Sequence, residues 1–186
     1  MSRIIAGIHK GRRLAVPEGL SVRPTTDRMR ERVFSMVNHH RYADMQDARV
    51  ADIFAGTGAL GLEALSRGAS HVTFVEKSPT SLAVLRENID TLSANAATNI
   101  LRISAPALPL ATSPYAFIFM DPPYREGLVE PTLQNIVDKE WLAADGTIIC
   151  ELATDDPLVL PSVIVQVDER TQGRQRIVFL SYKSNT

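Results

Sequence analysis

Gly56, Gly58 and Gly61 form a G-x-G-x-x-G pattern, which is typical of loops that hold nucleotide-type ligands. An apolar run at residues 50–54 precedes the pattern, and residues 59–67 follow it with the apolar periodicity of a helix. Glycines let the backbone turn sharply and let a ligand approach the main chain, while the helix N-terminus presents unpaired N–H groups. The pattern therefore predicts a ligand site, and the alternative is an ordinary strand-to-helix turn.

Glu76 is the second residue that this ligand class requires. An acid that binds ribose hydroxyls is expected about 20 residues after the glycines, at the end of the next strand. Glu76 stands there, directly after the apolar run at residues 72–75. Together with the glycines it favours an adenosine-containing ligand, and it leaves open whether that ligand is NAD or another cofactor.

A second motif, Asp121-Pro122-Pro123-Tyr124, follows the apolar run at residues 116–120. We refer to residues 121–124 as the DPPY turn. The prolines stiffen the turn and remove two N–H donors, which leaves carbonyl groups free to accept. A carboxylate, a free carbonyl and an aromatic ring together suit the exocyclic amino group of a nucleobase, and stacking on the ring contributes roughly 1–3 kcal/mol. The alternative is a rigid turn with a structural role only.

The elements that must position these motifs alternate along the chain. Apolar runs predict strands at 50–54, 72–75, 99–103, 116–120, 146–151, 163–167 and 177–182, and helical patterns occur at 27–39, 59–67, from Ser78-Pro79 onward and at 128–139. This alternation predicts an α/β fold with a doubly wound, mostly parallel sheet. The short connection at residues 171–174 predicts a hairpin and thus one antiparallel strand. Because ligands bind at the carboxyl ends of parallel strands, both motifs and Glu76 should share one cleft.

Charge is unevenly distributed between the two ends of the chain. Residues 1–41 contain nine Lys or Arg residues against three Asp or Glu residues, whereas the remainder has 11 basic and 18 acidic residues. This asymmetry predicts two parts: a basic, polyanion-binding extension, 1–41, which begins as a β-ribbon, and an otherwise acidic body, 42–186. A solvated basic face is the alternative. The predicted phosphate-contacting residues are Arg3, Lys10, Arg12, Arg13, Arg23, Arg28 and Arg30. In the helix at 27–39, the arginines are predicted to lie away from the apolar stripe of Met29, Val33, Met36 and Val37.

Several classes of protein are disfavoured by composition. The single cysteine, Cys150, excludes an internal disulfide and a cysteine-based zinc site. His39 and His40 close a predicted helix, where a cation is favourable, so no metal site is predicted. No apolar run of about 18 residues and no secretory h-region occur, so we expect no membrane partner and a cytoplasmic location.

The chain resembles class I S-adenosylmethionine-dependent methyltransferases of the D/N-P-P-Y group, and more closely the RsmD family. The resemblance extends over nearly the whole chain and rests on residues 3–7, 11–14, 22–31, 52–69, 75–77 and 121–124, of which the amino-terminal set is the most specific. It implies a seven-stranded sheet with the last hairpin inserted antiparallel. It also implies S-adenosylmethionine as cofactor and methyl transfer to N2 of a guanine in 16S ribosomal RNA. The implied partner is that RNA, the small ribosomal subunit or an assembly intermediate, and we expect a monomer.

The resemblance also implies a set of site residues. The cofactor residues are Asp52, Phe54, Ala55, Gly56, Thr57, Gly58, Glu76, Lys77, Ser104 and Asp121, and the catalytic residues are Asp121, Pro122 and Tyr124. The sequence departs from the family after the third strand, where an acidic or amide residue often lies near the adenine amino group. Here the run is Ile103-Ser104-Ala105, so the backbone or Ser104 is expected to make that contact.

Other functions stay open on the sequence alone. An adenine-N6 methyltransferase shares both motifs, and only the amino-terminal segment separates the two. A methyltransferase for a protein glutamine amide would not need the basic segment. A non-catalytic RNA-binding module conflicts with the intact DPPY turn, and an NAD oxidoreductase conflicts with the lack of a hydride-handling acid or base. The sequence leaves open which guanine is modified and whether the substrate is naked RNA or an assembled particle.

Overall fold

The computed structural model describes residues 2–17, 27–37 and 42–184. The strands are β1 (Ser2–Arg3), β2 (Arg13–Leu14), β3 (Arg49–Ile53), β4 (His71–Val75), β5 (Thr98–Leu101), β6 (Tyr115–Met120), β7 (Leu142–Ala153), β8 (Ile164–Gln172) and β9 (Gln175–Tyr182). The α-helices are α1 (Asp27–Val37), α2 (Ala59–Ser66), α3 (Pro79–Thr91) and α4 (Val129–Asp138). None of the described helices is long and apolar enough to cross a lipid bilayer.

Seven strands form the main sheet in the order β5-β4-β3-β6-β7-β9-β8. Strands β3 to β7 pair in parallel, and β9 pairs antiparallel with both β7 and β8. From β3 the chain adds β4 and β5 on one side, and from β6 it adds the remaining strands on the other side. The order in which strands are added therefore reverses between β3 and β6, although these two strands are parallel. Ligands bind at such a switch point, outside the carboxyl ends of the strands. The predicted fold class is thereby confirmed.

Most predicted elements occur with shifted ends. Strand β7 begins at Leu142, before the predicted start at 146, and β8 extends to Gln172, beyond the predicted end at 167. The added residues of β8 are polar and continue the pairing with β9, which an apolar pattern does not reveal. The added residues of β7, 142–145, precede Gly146, where the apolar run was predicted to begin a strand. The predicted hairpin is present, because Gln172 pairs with Gln175 across a two-residue turn in which Gly173 has a φ of 59°. The end of the helix predicted at 27–39, with His39 and His40, lies outside the described residues.

Alternate side chains of the central strands build a core on each face of the sheet. Val50 and Phe117 point toward α1, α2 and α3, whereas Ala51 and Ile118 point toward α4. Both faces are therefore covered, which explains the continuous apolar runs of β3 and β6. Cys150 is fully buried in the α4-side core.

Residues 2–17, here called the N-terminal arm, contain the predicted ribbon. Strands β1 and β2 pair antiparallel, with Ser2 opposite Leu14. The arm is fixed to the body by Glu63 of α2, whose fully buried carboxylate accepts hydrogen bonds from the Ile5 N–H at 2.8 Å and the Ala6 N–H at 3.0 Å. Leu14 packs into the same core as α1 to α3, so the arm is part of the packed structure.

Arg30 differs from its prediction. It is 0% exposed, and its guanidinium donates to Ser2 Oγ at 3.1 Å and to the Arg3 carbonyl at 2.8 Å. The prediction that this arginine lies on an outer face and contacts RNA is wrong, because the arm covers the side of α1 from which it projects. Arg30 instead joins α1 to β1.

Candidate active site

A cavity of about 650 Å³ lies at the carboxyl ends of the central strands. Its walls come from the loop after β3, the end of β4, the segment after β5, the DPPY turn after β6 and the end of β7. The N-terminal arm contributes Ser2, Val16 and Pro17 to the rim, and β9 contributes Gln175. The fold thus brings the two predicted motifs and Glu76 to one cavity, as the strand order requires.

Asp52 of β3 is hydrogen-bonded to the start of α2. It thereby holds together the two ends of the loop at residues 54–58, here called the glycine loop. Its carboxyl is 2% exposed, and Oδ2 accepts a hydrogen bond from the Gly61 N–H at 2.8 Å. Burial, together with the negative charges of Asp121 and Glu76, raises the pKa of Asp52 to about 8, against the hydrogen bond from Gly61, which lowers it. Asp52 is therefore mostly protonated near neutral pH, which keeps the floor of the cavity less negative than its residue types suggest.

Gly58 shapes the loop from beneath the cavity. It has a φ of 80°, and a Cβ added there would lie 2.4 Å from Leu85 Cδ1 of α3. Gly58 does not contribute to the cavity wall, in contrast to its neighbours Gly56 and Thr57. Position 58 therefore requires glycine because of its positive φ and because there is no space for a Cβ. Its place outside the cavity wall does not support the predicted direct contact with a cofactor.

Glu76 is held by the backbone on both sides of its carboxylate. Oε2 accepts from the Gly56 N–H at 2.8 Å, and Oε1 accepts from the Ser78 N–H at 2.7 Å. Ser78 in turn caps α3 by accepting from the Ser81 N–H. Each carboxylate oxygen has a second lone pair, so Glu76 can still accept bonds from two adjacent ligand hydroxyls.

Asn88 connects the N-terminal arm to the glycine loop, and sequence reasoning missed it. This residue of α3 is 0% exposed. Its amide donates to the Thr57 carbonyl at 3.0 Å and to the Ala15 carbonyl at 3.1 Å, and its oxygen accepts from the Ala15 N–H at 2.7 Å. The arm and the cavity wall are therefore coupled through one side chain.

Tyr124 of the DPPY turn is held in place by residues from two other strands. Its hydroxyl donates to Glu151 Oε1 at 2.7 Å, and the Gln175 amide donates to both the Tyr124 hydroxyl and Glu151 Oε1. Burial raises the pKa of Tyr124 to about 12, so the hydroxyl stays protonated and continues to donate. The ring orientation is therefore fixed before any substrate binds.

Glu151 is a cavity residue that the sequence could have revealed. It follows the apolar run at residues 147–150 at the end of a parallel strand, just as Asp121 follows the run at 116–120. The rule that ligands bind at strand carboxyl ends applied to it equally. Gln175 and Ser2 gave no such signal, because their places in the cavity depend on the antiparallel pairing of β9 and on the docking of the arm.

The structure places nearly all of the predicted cofactor and catalytic residues in the cavity wall. These are Asp52, Phe54, Ala55, Gly56, Thr57, Glu76, Lys77, Ser104, Asp121, Pro122 and Tyr124. Among the predicted RNA-binding residues, Arg3, Lys10, Arg12, Arg13 and Arg28 are exposed, whereas Arg23 lies outside the described residues. Within the described ranges, no group of three or more metal-ligating side chains could hold an ion. The individual contacts with cofactor and RNA stay predictions.

The cavity suits S-adenosylmethionine chemically. Glu76 offers acceptors for a ribose diol, and the small residues Ala55 and Gly56 line the wall beside it. Ile103 and Ala105, which flank Ser104, and Phe54 after β3 give the wall apolar surface for an adenine ring. Since a doubly wound sheet, a glycine loop, a ribose-type acid and a DPPY turn meet at one edge, fold and site define a class I S-adenosylmethionine-dependent methyltransferase.

Comparison with known proteins identifies the family. A family model described as "Conserved hypothetical protein 95" matches residues 2–181. The chain is 39% identical over 156 residues to ribosomal RNA small subunit methyltransferase D of Escherichia coli K12, covering 84% of this chain and 77% of that protein. It is 36% identical over 166 residues to the putative rRNA methyltransferase YlbH of Bacillus subtilis, covering 87% of each. The chain therefore belongs to the RsmD family of methyltransferases.

Solved structures agree with this assignment. The putative methyltransferase yhhF from Escherichia coli superposes with a TM-score of 0.86 at 32% identity, over 98% of each chain. The putative methylase HI0767 from Haemophilus influenzae gives a TM-score of 0.79 at 30% identity, also over 98% of each chain. The shared architecture thus includes both the sheet and the N-terminal arm.

Proposed function

We propose that this protein transfers a methyl group from S-adenosylmethionine to the exocyclic N2 of a guanine in 16S ribosomal RNA of the small subunit. One observation carries the proposal: the DPPY turn opens into the same cavity as the glycine loop and Glu76. A methyl donor and an amino group must meet within bonding distance, and this cavity has a candidate site for each. Relatives named as ribosomal RNA small subunit methyltransferases support RNA as the substrate class.

Residues on the β3 and β4 side of the cavity would hold the cofactor. The main chain of the glycine loop would contact its methionine part, Glu76 would accept bonds from the ribose hydroxyls, and Ser104 or its backbone would lie near the adenine. Lys77, which also lines the cavity, is adjacent to the ribose site. When bound, S-adenosylmethionine supplies an electrophilic methyl group on a sulfonium.

Residues on the β6 side would hold and orient the base. The lone pair of the guanine amino nitrogen is delocalised into the ring, so the nitrogen is a poor nucleophile. Asp121 and the Pro122 carbonyl would accept its two N–H bonds, which localises the lone pair and fixes its direction. Tyr124, whose hydroxyl is already held by Glu151, would stack on the base. Alignment of this kind can lower a barrier by about 7–11 kcal/mol.

The N-terminal arm would hold the RNA next to the cavity. Arg3, Lys10, Arg12 and Arg13 are exposed on the arm, and the same segment lines the cavity through Ser2. A phosphate backbone bound along this surface would bring an extruded guanine to the opening. Each phosphate contact makes affinity more dependent on salt. The substrate would be the RNA itself or an assembling small subunit, with the protein acting as a monomer.

Product analysis tests the proposal. The protein is incubated with labelled S-adenosylmethionine and small-subunit RNA, both naked and in subunits, and the nucleosides are separated. We expect N2-methylguanosine from the wild type and none from Asp121→Ala, in which calorimetry should show that cofactor binding survives. Asp145→Ala, which changes an exposed acid of β7, serves as a matched control with wild-type activity. Formation of N6-methyladenosine would overturn the guanine assignment.

A separate measurement tests the arm. Arg12→Glu should weaken RNA binding, while cofactor affinity stays the same. The slope of log affinity against log salt concentration should become shallower by about 1, as expected for the loss of one phosphate contact. Lys183→Glu reverses an exposed charge just after β9, whose end lies at the opposite edge of the sheet, and should leave RNA binding unchanged. Equal RNA affinity for both variants and the wild type would remove the arm from the RNA-binding surface.

A further inference from the structure

Glu151 and Asp121 form a carboxyl pair at the ends of two neighbouring strands. Met120 of β6 is in register with Cys150 of β7, so the next residues, Asp121 and Glu151, lie side by side. Both line the cavity, although the DPPY turn accounts only for Asp121. Two acids in adjacent positions of parallel strands repel each other unless they share a proton. The second acid therefore requires an explanation.

The surroundings of Glu151 leave one of its oxygens available. The side chain is 4% exposed, and Oε1 accepts from the Tyr124 hydroxyl and the Gln175 amide. In the described part of the chain, no hydrogen-bond donor reaches the buried Oε2. The Asp121 carboxyl is close enough to form a hydrogen bond with Glu151 once one of the two is protonated. The pair is thus built to take up a proton.

We propose that Glu151 accepts, through Asp121, the proton that the amino nitrogen loses during methyl transfer. This inference rests on the proposed function. The nitrogen lone pair forms the new N–C bond while the C–S bond of the donor breaks, and the electrons of that bond stay on sulfur. In the same step the nitrogen gives one of its two protons to Asp121, and Asp121 shares this proton with Oε2 of Glu151 or passes it on to that atom. Exchange with water after product release restores the pair.

The groups that face Glu151 set the pH at which it can act. Burial and the Asp121 charge together raise the pKa of Glu151 to about 7, against the bonds from Tyr124 and Gln175, which lower it. Asp52 of β3, which faces Asp121, is itself mostly protonated near neutral pH. The acceptor form of Glu151 is the ionised one, so its availability increases as the pH rises through about 7.

The test is the pH dependence of the single-turnover rate at saturating RNA and cofactor. The wild-type rate should rise with pH through about 7. Glu151→Gln keeps an oxygen that accepts from Tyr124 but cannot take a proton, so it should lose this rise and react roughly 100-fold more slowly. Gln175→Leu removes a bond that lowers the pKa of Glu151, so its rise should move to higher pH. Glu140→Gln, an exposed acid, should retain the wild-type profile.

Two readouts separate proton acceptance from a structural role and from failure of the proposed function. Cofactor affinity of Glu151→Gln should match the wild type, and so should its melting temperature below about pH 7, where Glu151 is protonated. A purely structural residue would change both and leave the pH profile of the rate intact. A wild-type pH profile in Glu151→Gln, or no upward shift in Gln175→Leu, would overturn the inference while methylation by the wild type still stood. Absence of N2-methylguanosine from the wild-type reaction would instead overturn the proposed function.

Discussion

Replacing Asn88 with alanine tests whether the N-terminal arm and the glycine loop are coupled through one side chain. The substitution removes two donated bonds, to Thr57 and Ala15, and one accepted bond, from the Ala15 N–H. Because the site is fully buried, water does not readily replace the lost partners. The change should therefore loosen the arm and the loop together.

The expected loss follows from the number of bonds. Each net hydrogen bond contributes about 1 kcal/mol, so the three bonds of Asn88 predict a decrease of about 3 kcal/mol in the free energy of unfolding. For a chain of this size, that corresponds to a melting temperature lower by roughly 6–12 °C. Since the Thr57 carbonyl loses its support, cofactor affinity should fall as well.

Urea unfolding and calorimetric titration with S-adenosylmethionine measure the two effects. Asn95→Ala is a matched control, because Asn95 is exposed and its amide donates to the exposed Asp90 side chain. The control should change the free energy of unfolding by less than about 0.5 kcal/mol. A loss below about 1 kcal/mol in Asn88→Ala, or unchanged cofactor affinity, would refute the coupling.

Three further substitutions test other parts of the site. Asp52 has its pKa raised to about 8 by burial, so its favourable contribution to stability is complete below about pH 4 and is lost as the pH rises through 8. Between about pH 4 and pH 8, the free energy of unfolding of Asp52→Asn should therefore rise relative to that of the wild type by about 1.4 kcal/mol per pH unit, as measured by urea unfolding. A difference that does not depend on pH would contradict the raised pKa. Glu63→Ala leaves the Ile5 and Ala6 N–H groups and Arg67 without their buried acceptor, so the free energy of unfolding should fall by about 3–5 kcal/mol. Hydrogen exchange of the two backbone amides should also become faster, and wild-type exchange rates would show that other contacts hold the arm. Gly58→Ala places a Cβ against Leu85 at a positive φ, so cofactor affinity and melting temperature should both fall, and a stable variant with normal affinity would argue against the role assigned to this glycine.

Local patterns in the sequence determined the architecture and most of the cavity wall. The apolar runs predicted the central strands because both faces of the sheet are covered, and chain order then placed Asp52, Glu76 and Asp121 at the same edge. The glycine pattern predicted the sharp turn because positive φ angles and close packing require residues without a Cβ. Such features are readable because they depend on a residue and its near neighbours in the chain.

Only the tertiary structure decided how the polar side chains pair. Arg30 has the sequence context of an exposed helix arginine, yet it is buried against an arm 27 residues away in sequence. Asn88 finds its partner 73 residues away, and Gln175 reaches Glu151 through the antiparallel insertion of β9. A buried polar group must be satisfied by whatever group the fold places beside it, and that neighbour is set by packing across the whole chain. The sequence therefore determined which strands end at the cavity, and packing determined which side chains bond to one another there.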